Sequence, residues 1–272
     1  MKNPLSLCIL RLSAIGDVCH TLAVVQAIQR QYPDAEIIWI IGKTEAMLMQ
    51  DLPNVKLVPF DKKSGWKGIF TIWKQLAHKR FDFLLNMQTA FRASILSLGI
   101  KADKKIGFNK DRAREMQWLF TNQKVEQTTS PHVLDGQMMF AKAIGVTDLT
   151  PKWQLPIPAE TVEKAKQWLD PMRKNVVISP CSSKAEKDWL IERYAEIANW
   201  LIAQNINVIL VGSPAKRELE MTAYIQHLAP NVQNLVGKTS LKEIAALLKL
   251  ADLVISCLLY TSPSPRDRSL SR

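Results

Sequence analysis

Cysteine, glycine and long apolar runs are all scarce in this chain of 272 residues. Its four cysteines form no C-x-x-C pair, which excludes a disulfide-rich architecture. Its ten glycines include no G-x-G-x-x-G, which excludes the dinucleotide-binding fingerprint. The longest apolar runs, such as residues 37–41, fall far short of the roughly 20 residues that a transmembrane helix needs. With no signal-peptide pattern after Met1, we expect a protein of the reducing cytoplasm.

The remaining composition is that of a globular protein. Hydrophobic residues make up 47% and charged residues 22% of the chain. A chain of this size has enough apolar side chains for one large domain or two medium ones without disulfides.

Positive charge is concentrated in one stretch of the first half. Residues 61–114 contain thirteen Lys and Arg against four Asp, whereas the whole chain has a net charge of +11. Such a stretch favours a polyanion, which could be a nucleic acid, an anionic membrane surface or a phosphorylated substrate. It is also compatible with a solvated face that has no partner.

Strand and helix patterns alternate through the first half. Residues 5–10 form a predicted buried strand, and helical spacing follows from Asp17 to Arg30. The rhythm continues with predicted strands at 36–41, 55–58 and 81–85. A predicted helix carries the stripe Trp66, Ile69, Phe70 and Trp73, which we expect in the core rather than in contact with a membrane. This alternation predicts a parallel sheet covered by helices.

A proline-rich stretch at residues 147–158 predicts a stiff linker, after which the alternation restarts. We therefore expect an α/β fold with two Rossmann-like domains, residues 1–150 and 151–256. A ligand cleft is expected at the carboxyl ends of the strands.

Two Gly-Lys-Thr triplets resemble part of a phosphate-binding loop. That loop requires another glycine five residues before its second glycine, but those positions are Ile37 and Val232. Neither triplet is therefore predicted to be a phosphate-binding loop.

The first strand–helix junction is more informative. In Arg11-Leu-Ser-Ala-Ile-Gly-Asp-Val-Cys-His-Thr21, Gly16 permits a tight turn, Asp17 opens the helix and His20 follows on the same face. Asp17 could be a catalytic base at a ligand site. The residues alone favour a helix cap instead, because the helix dipole stabilises the anion and so weakens it as a base.

This junction resembles the opening motif of the bacterial heptosyltransferase family, which transfers heptose from ADP-heptose to the inner core of lipopolysaccharide. Later segments resemble successive landmarks of the same family in the same order: residues 88–94, 105–108, 179–189, 211–214 and 235–241. The resemblance spans residues 5–256 and implies a GT-B fold and inversion at the anomeric carbon.

The resemblance also implies roles for single residues. Asp17 matches the general base, while Ser182, Ser183 and Lys187 match the diphosphate site of the donor. Glu218 matches an acid that binds the nucleotide ribose, and Glu220 is the alternative residue for this role. Residues 1–150 would bind the acceptor and residues 151–256 the nucleotide sugar. We expect neither a metal nor a cofactor, since ADP-heptose is a substrate.

The family's acceptor is a phosphorylated glycolipid, so the resemblance implies that the basic stretch binds its negative charges. The residues that would bind it are His20, Arg92, Arg112 and Arg114. The cluster of Lys62, Lys63 and Lys67 could rest on an anionic bilayer, so we expect peripheral contact with the cytoplasmic face of the inner membrane.

The end of the chain departs from this pattern. Residues 257–267 resemble translated adapter sequence, so we expect 257–272 to be a non-native tail and the second domain to be incomplete, although a genuine basic tail is the alternative. The family's Asp-(Ser/Thr)-Gly-x-x-His turn, expected after Ser256, does not occur here, which makes activity of this chain doubtful.

Other functions remain open at this stage. The chain could use another nucleotide sugar, or bind a nucleotide without catalysis. Nucleic acid is not an expected partner, because the basic stretch lacks interleaved aromatics and the sequence shows no zinc-site or helix-turn-helix spacing.

Overall fold

Two parallel β-sheets, one in each half of the chain, form the framework of our computed structural model. The structure describes residues 4–130, 132–182 and 185–257. The chain divides into two units after Pro156. Residues 258–272, most of the predicted non-native tail, lie outside the described residues. No helix in the described ranges is both long and apolar enough to cross a membrane.

The first unit contains a sheet of six strands in the order β3-β2-β1-β4-β5-β6, all parallel. The strands are β1 (Ser6–Leu10), β2 (Glu36–Gly42), β3 (Val55–Phe60), β4 (Phe81–Asn86), β5 (Ala102–Gly107) and β6 (Gln123–Lys124). The helices are α1 (Ile15–Gln31), α2 (Lys43–Met49), α3 (Gly65–Leu76), α4 (Phe91–Leu98) and α5 (Val133–Ala143). The central strand β1 therefore has neighbours on both sides, and its carboxyl end lies in the middle of the sheet edge.

Residue alternation along β1 explains how the sheet is buried. Cys8 and Leu10 belong to a core cluster with Ile69 of α3 and Leu96 of α4. Successive side chains of a strand point to opposite faces, so the intervening, fully buried Ile9 belongs to the other face. Helix α1 packs against α5. Burial on both faces accounts for the continuous apolar character of the strand.

The second unit has a four-stranded parallel sheet in the order β10-β7-β8-β9. Its strands are β7 (Asn175–Ser179), β8 (Asn207–Leu210), β9 (Gln233–Asn234) and β10 (Leu253–Ser256). Its helices are α6 (Ala159–Lys166), α7 (Ile191–Ala203), α8 (Lys216–Leu228) and α9 (Leu241–Leu250). Val176 packs with α7 and α8 residues, whereas Val177 packs with residues of α6 and α9. Helices thus cover both faces.

The boundary between the units lies six residues beyond the predicted position at 150/151. Hydrogen bonds hold the intervening segment on α1: Gln26 Nε2 donates to Gln154 O at 2.8 Å and Trp153 Nε1 donates to Cys19 O at 3.1 Å. The extended linker is therefore partly an element of the first unit.

The apolar stripe on α3 was expected in the core, and half of that expectation is wrong. Ile69 is buried and Trp73 half-buried, whereas Trp66 and Phe70 are 61% and 60% exposed. At about 100° per residue, positions 66 and 70 point away from the buried line of Ile69 and Ile72, so they face solvent.

Candidate active site

Asp17 lies in the first turn of α1, directly beyond the carboxyl end of β1. Its Oδ2 atom is 2.5 Å from Nη2 of Arg11 and accepts a hydrogen bond from the backbone N–H of Ala14 at 3.3 Å. The carboxylate therefore serves as a helix cap and is also paired with a cation. The Asp17 side chain is 26% exposed, so its carboxylate is accessible to a ligand.

Arg11 is the buried partner of this pair, with a side chain that is 9% exposed against 26% for Asp17. Its Nη1 donates to the carbonyl of Met87 after β4, and its own carbonyl accepts from Trp39 Nε1 at 3.2 Å. Burial lowers the pKa of Arg11, and the charge of Asp17 opposes that shift. The carboxylate therefore compensates a buried guanidinium.

Two glutamines hold the loop that carries Asp17. Gln88 Oε1 accepts from the backbone N–H groups of Leu12 and Ser13 at 3.1 and 3.2 Å. The buried Gln117 donates through Nε2 to the carbonyls of Asn86 and Gln88 at 2.8 and 3.0 Å. These bonds connect the ends of β1 and β4, which fixes the position of the α1 amino terminus.

His20 is half-buried one turn after Asp17, and its ring meets the ring of His132 edge to face at 5.8 Å. Burial lowers the pKa of His20, Asp17 opposes that shift, and His132 and Arg11 add to it. Its Nδ1 is buried without a partner among the described residues. The site therefore favours a neutral imidazole close to the carboxylate.

The three predicted acceptor arginines occupy different surroundings. Arg112 donates to the carbonyls of His132 and Ser130, which places it beside the His20–His132 contact. Arg92, in the first turn of α4, donates to the carbonyl of Lys62 at 2.8 Å. Arg114 is exposed.

A second polar cluster lies beyond β7 in the other unit. The N–H of Ser182 donates to Asp188 Oδ1 at 2.6 Å. Arg217 of α8 pairs with Asp188 Oδ2 and donates to the carbonyl of Ser182. Asp188 and Arg217 therefore close the loop that follows β7. Burial raises the pKa of the neighbouring Cys181 thiol to about 12, so this group stays protonated.

Lys187 ends a short 3-10 helix within this loop and is half-buried. Ser183, predicted with it as part of the diphosphate site, lies outside the described residues. The structure thus places Ser182 and Lys187 on one short loop at the carboxyl edge of the second sheet, where α/β proteins bind ligands.

Glu218 occupies the neighbouring junction, in the first turn of α8. Its Oε2 and Oε1 accept from the backbone N–H and the hydroxyl of Ser213 at 2.7 and 2.5 Å. A Cβ atom at Gly212 would lie 2.7 Å from Oε2, so glycine leaves room for this carboxylate. The competitor Glu220 is paired at 3.7 Å with Lys216 and is mostly exposed. Glu218 is therefore the acid that faces the loop.

Within the described ranges, no group of three His, Cys, Asp or Glu side chains could hold a metal ion. The triplet at Gly237 leads into α9, which Ser240 caps by accepting from the Glu243 N–H at 3.2 Å. The triplet at Gly42 ends β2 and starts α2.

Comparison with known proteins decides the family. The sequence pattern of glycosyltransferase family 9 (heptosyltransferase) matches residues 69–257. The chain belongs to this family. It is 60% identical over 258 residues to the lipopolysaccharide core heptosyltransferase OpsX of Haemophilus influenzae, an alignment that covers 94% of this chain and 74% of that protein.

Solved structures of family 9 have the same fold. The glycosyl transferase family 9 protein from Veillonella parvula gives a TM-score of 0.81 at 21% identity and covers 93% of this chain and 74% of that one. The E. coli heptosyltransferase WaaC with ADP-2-deoxy-2-fluoro heptose gives 0.76 at 21% identity, with coverage of 93% and 82%. These similarities confirm the predicted α/β fold with two Rossmann-like units.

The family 9 chain thus brings its predicted residues together in two places, Asp17 with His20 and Ser182 with Lys187. Sequence reasoning missed the residues that hold them, namely Arg11, Gln88, Gln117 and Arg217. One signal was present for Arg11, because a cation directly after a fully buried strand requires a compensating partner. Gln88 begins the segment 88–94 that resembles a family landmark, whereas Gln117 and Arg217 are distant in sequence and carried no signal.

Proposed function

We propose that this family 9 chain transfers heptose from ADP-heptose to the inner core of lipopolysaccharide with inversion. The observation that carries the proposal is the 60% identity to a protein named as a lipopolysaccharide core heptosyltransferase. Use of another nucleotide sugar is the alternative reaction, and nucleotide binding without catalysis is the alternative function.

Asp17 is the proposed general base. Its carboxylate takes the proton of the acceptor hydroxyl while the hydroxyl oxygen attacks the anomeric carbon of the donor. The bond from that carbon to ADP breaks on the opposite face, and its electron pair stays on the diphosphate. Arg11 keeps Oδ2 occupied, which supports the orientation of the carboxylate.

The donor site is proposed on the second unit. Ser182, Ser183 and Lys187 would bind the diphosphate, where an ammonium group neutralises the charge that develops on the departing ADP. Glu218 would accept from a ribose hydroxyl, because each carboxylate oxygen has a second lone pair besides the one that Ser213 uses. Neither a metal nor a cofactor is part of this proposal.

The acceptor side is proposed on the first unit. His20 and Arg112 lie near the base, while Arg92 and Arg114 belong to the basic stretch; arginine forks suit the phosphates of the core. We further propose that the protein works at the cytoplasmic face of the inner membrane and has no nucleic-acid partner.

A donor panel tests the proposal. The chain is incubated with lipopolysaccharide that lacks core heptose and with ADP-heptose, ADP-glucose or UDP-glucose, and product is measured by mass spectrometry. We expect a heptose mass increment from ADP-heptose alone. Transfer from another donor would favour the alternative reaction, whereas ADP binding without any transfer would favour the non-catalytic alternative.

A further inference from the structure

Helix α3 presents two large aromatic side chains to solvent. Trp66 and Phe70 lie four residues apart, so they form one continuous patch on the helix surface. Among the residues described, neither side chain is covered by another element. We call Trp66, Phe70, Lys67 and Lys74 of α3, together with Lys63 in the turn before it, the α3 patch.

The helix that carries the patch is firmly attached to the first unit. Ile69, Ile72 and Leu76 are buried in the core beneath it. Trp73 Nε1 donates to the carbonyl of Leu96 at 2.8 Å, and the Phe70 ring meets the Trp73 ring edge to face at 5.4 Å. The exposed rings are therefore held on a rigid base rather than on a flexible loop.

Positive charge predominates around these rings, with Asp61 close by as an acceptor for the Lys63 N–H at 2.8 Å. Residues 62–81 contain six Lys and Arg and no Asp or Glu. Lys67 and Lys74, seven residues apart, occupy the side of α3 next to the rings, and both are exposed. Lys62 pairs with Glu45 of α2 at 3.0 Å, so that cation is already partly neutralised. Lys63 and Lys67 are the exposed cations nearest to Trp66 in sequence.

We propose that the α3 patch is a docking surface for a bilayer that contains anionic lipids. Aromatic rings bind at the level of the headgroups, and neighbouring lysines bind the negative surface, each contribution reinforcing the other. A symmetric contact with a second copy would bring two rows of lysines together, and like charges oppose such an interface. The patch is therefore better suited to bind an anionic lipid surface than to bind the same patch of a second copy.

This inference rests on the proposed function, because the proposed acceptor is a membrane glycolipid. Arg92, one of the predicted acceptor residues, donates to the carbonyl of Lys62, the residue that precedes Lys63 of the patch. Docking through α3 would therefore bring the membrane surface close to the acceptor residues of the same unit.

Vesicle sedimentation tests the proposal with the full chain. Binding is measured to vesicles of phosphatidylcholine alone and of phosphatidylcholine with phosphatidylglycerol, for wild type and two double variants, Trp66→Ala with Phe70→Ala and Lys63→Gln with Lys67→Gln. The controls are Trp200→Ala, which removes a tryptophan that is 63% exposed on the second unit, and Lys56→Gln with Lys249→Gln. Circular dichroism verifies that every variant is folded.

We expect wild type to bind the anionic vesicles and the two control variants to bind equally well. The lysine double variant should bind about 25-fold more weakly, since each cation near the surface contributes roughly fivefold. The aromatic double variant should bind the anionic vesicles at least about tenfold more weakly than wild type. Equal binding of all variants, or no preference for the anionic vesicles, would overturn the proposal. The proposal would also be overturned if analytical ultracentrifugation showed that wild type is a dimer and that the aromatic double variant is a monomer.

Transferase activity on detergent-dispersed acceptor separates this inference from the proposed function. If docking alone is at fault, vesicle binding fails while transfer in detergent persists. If the proposed function is at fault, transfer fails in detergent even though the vesicles are bound.

Discussion

Arg11 and Asp17 form an ion pair across the loop that joins β1 to α1, with Nη2 and Oδ2 2.5 Å apart. The guanidinium is the more buried partner and is also bonded to the Met87 carbonyl after β4. The pair therefore connects the proposed catalytic carboxylate to two strands of the sheet. It also explains how a capping aspartate can have a fixed orientation at a ligand site.

Replacing Arg11 with Gln should lower kcat and change the KM for the nucleotide sugar much less, because the carboxylate loses its positioning partner. Arg11→Lys should restore part of kcat. The free energy of unfolding should fall by about 3 kcal/mol or less, since Asp17 stays partly hydrated. Steady-state kinetics and urea titration measure both effects.

The control for this variant is Arg80→Gln, which removes an exposed pair with Asp103. That change should cost less than about 1 kcal/mol and leave kcat unchanged. If Arg11→Gln and Arg80→Gln behave alike, Arg11 has no positioning role.

Lys187→Ala should weaken ADP binding by roughly 1.5–3 kcal/mol, because a charge-assisted bond to phosphate is lost. Isothermal titration with ADP measures the change. Lys216→Ala, which removes a mostly exposed lysine at the start of α8, is the matched control and should bind ADP like wild type. An unchanged Kd for Lys187→Ala would make Lys187 a surface lysine without a role in donor binding.

Arg217→Ala should loosen the loop after β7, because Asp188 and the Ser182 carbonyl both lose their partner. Hydrogen exchange in a peptide spanning residues 180–190 should become faster, and ADP should bind more weakly. Arg193→Ala, which removes an exposed pair with Glu196, should change neither quantity. Unaltered exchange in the Arg217 variant would show that the loop is held by other contacts.

Because of His20, the free energy of unfolding should decrease as the pH falls from neutral to mildly acidic. Its pKa in the folded state lies below the value of about 6.5 in the unfolded chain, chiefly through burial. As pH falls through this range, the unfolded chain binds a proton that the folded protein resists, so stability decreases. Between pH 7.5 and 5.5, wild type should therefore lose more unfolding free energy than His20→Gln. The nearby charged groups Asp17, Arg11 and His132 are common to both proteins. Equal losses would mean that His20 is not held in its neutral form.

The sequence predicted the strands and helices whose apolar period was strong, such as β1 and α1. It did not predict α4, whose apolar residues at 91, 93 and 95 alternate as in a strand, or α5, which has a glycine in its interior. The stripe on α3 shows a further limit. Spacing identified Trp66, Ile69, Phe70 and Trp73 as one side of a helix, yet only the packed structure shows which edge of that side meets the sheet.

The candidate site could be predicted where it lies within one motif, as for Asp17 with His20. The residues that support it could not, because they come from other strand ends. Gln88 follows β4 and Gln117 follows β5, and only the strand order brings them beside the first loop.

The measurement that tests the central claim most directly compares Asp17→Asn with wild type in heptose transfer from ADP-heptose, together with ADP binding. Asparagine keeps an acceptor for the Ala14 N–H but cannot take the proton. Turnover should fall about 10²–10⁴-fold while ADP affinity is unchanged, and the exposed control Asp34→Asn should retain full turnover. Near-normal turnover of Asp17→Asn would contradict the account and leave Asp17 as a helix cap.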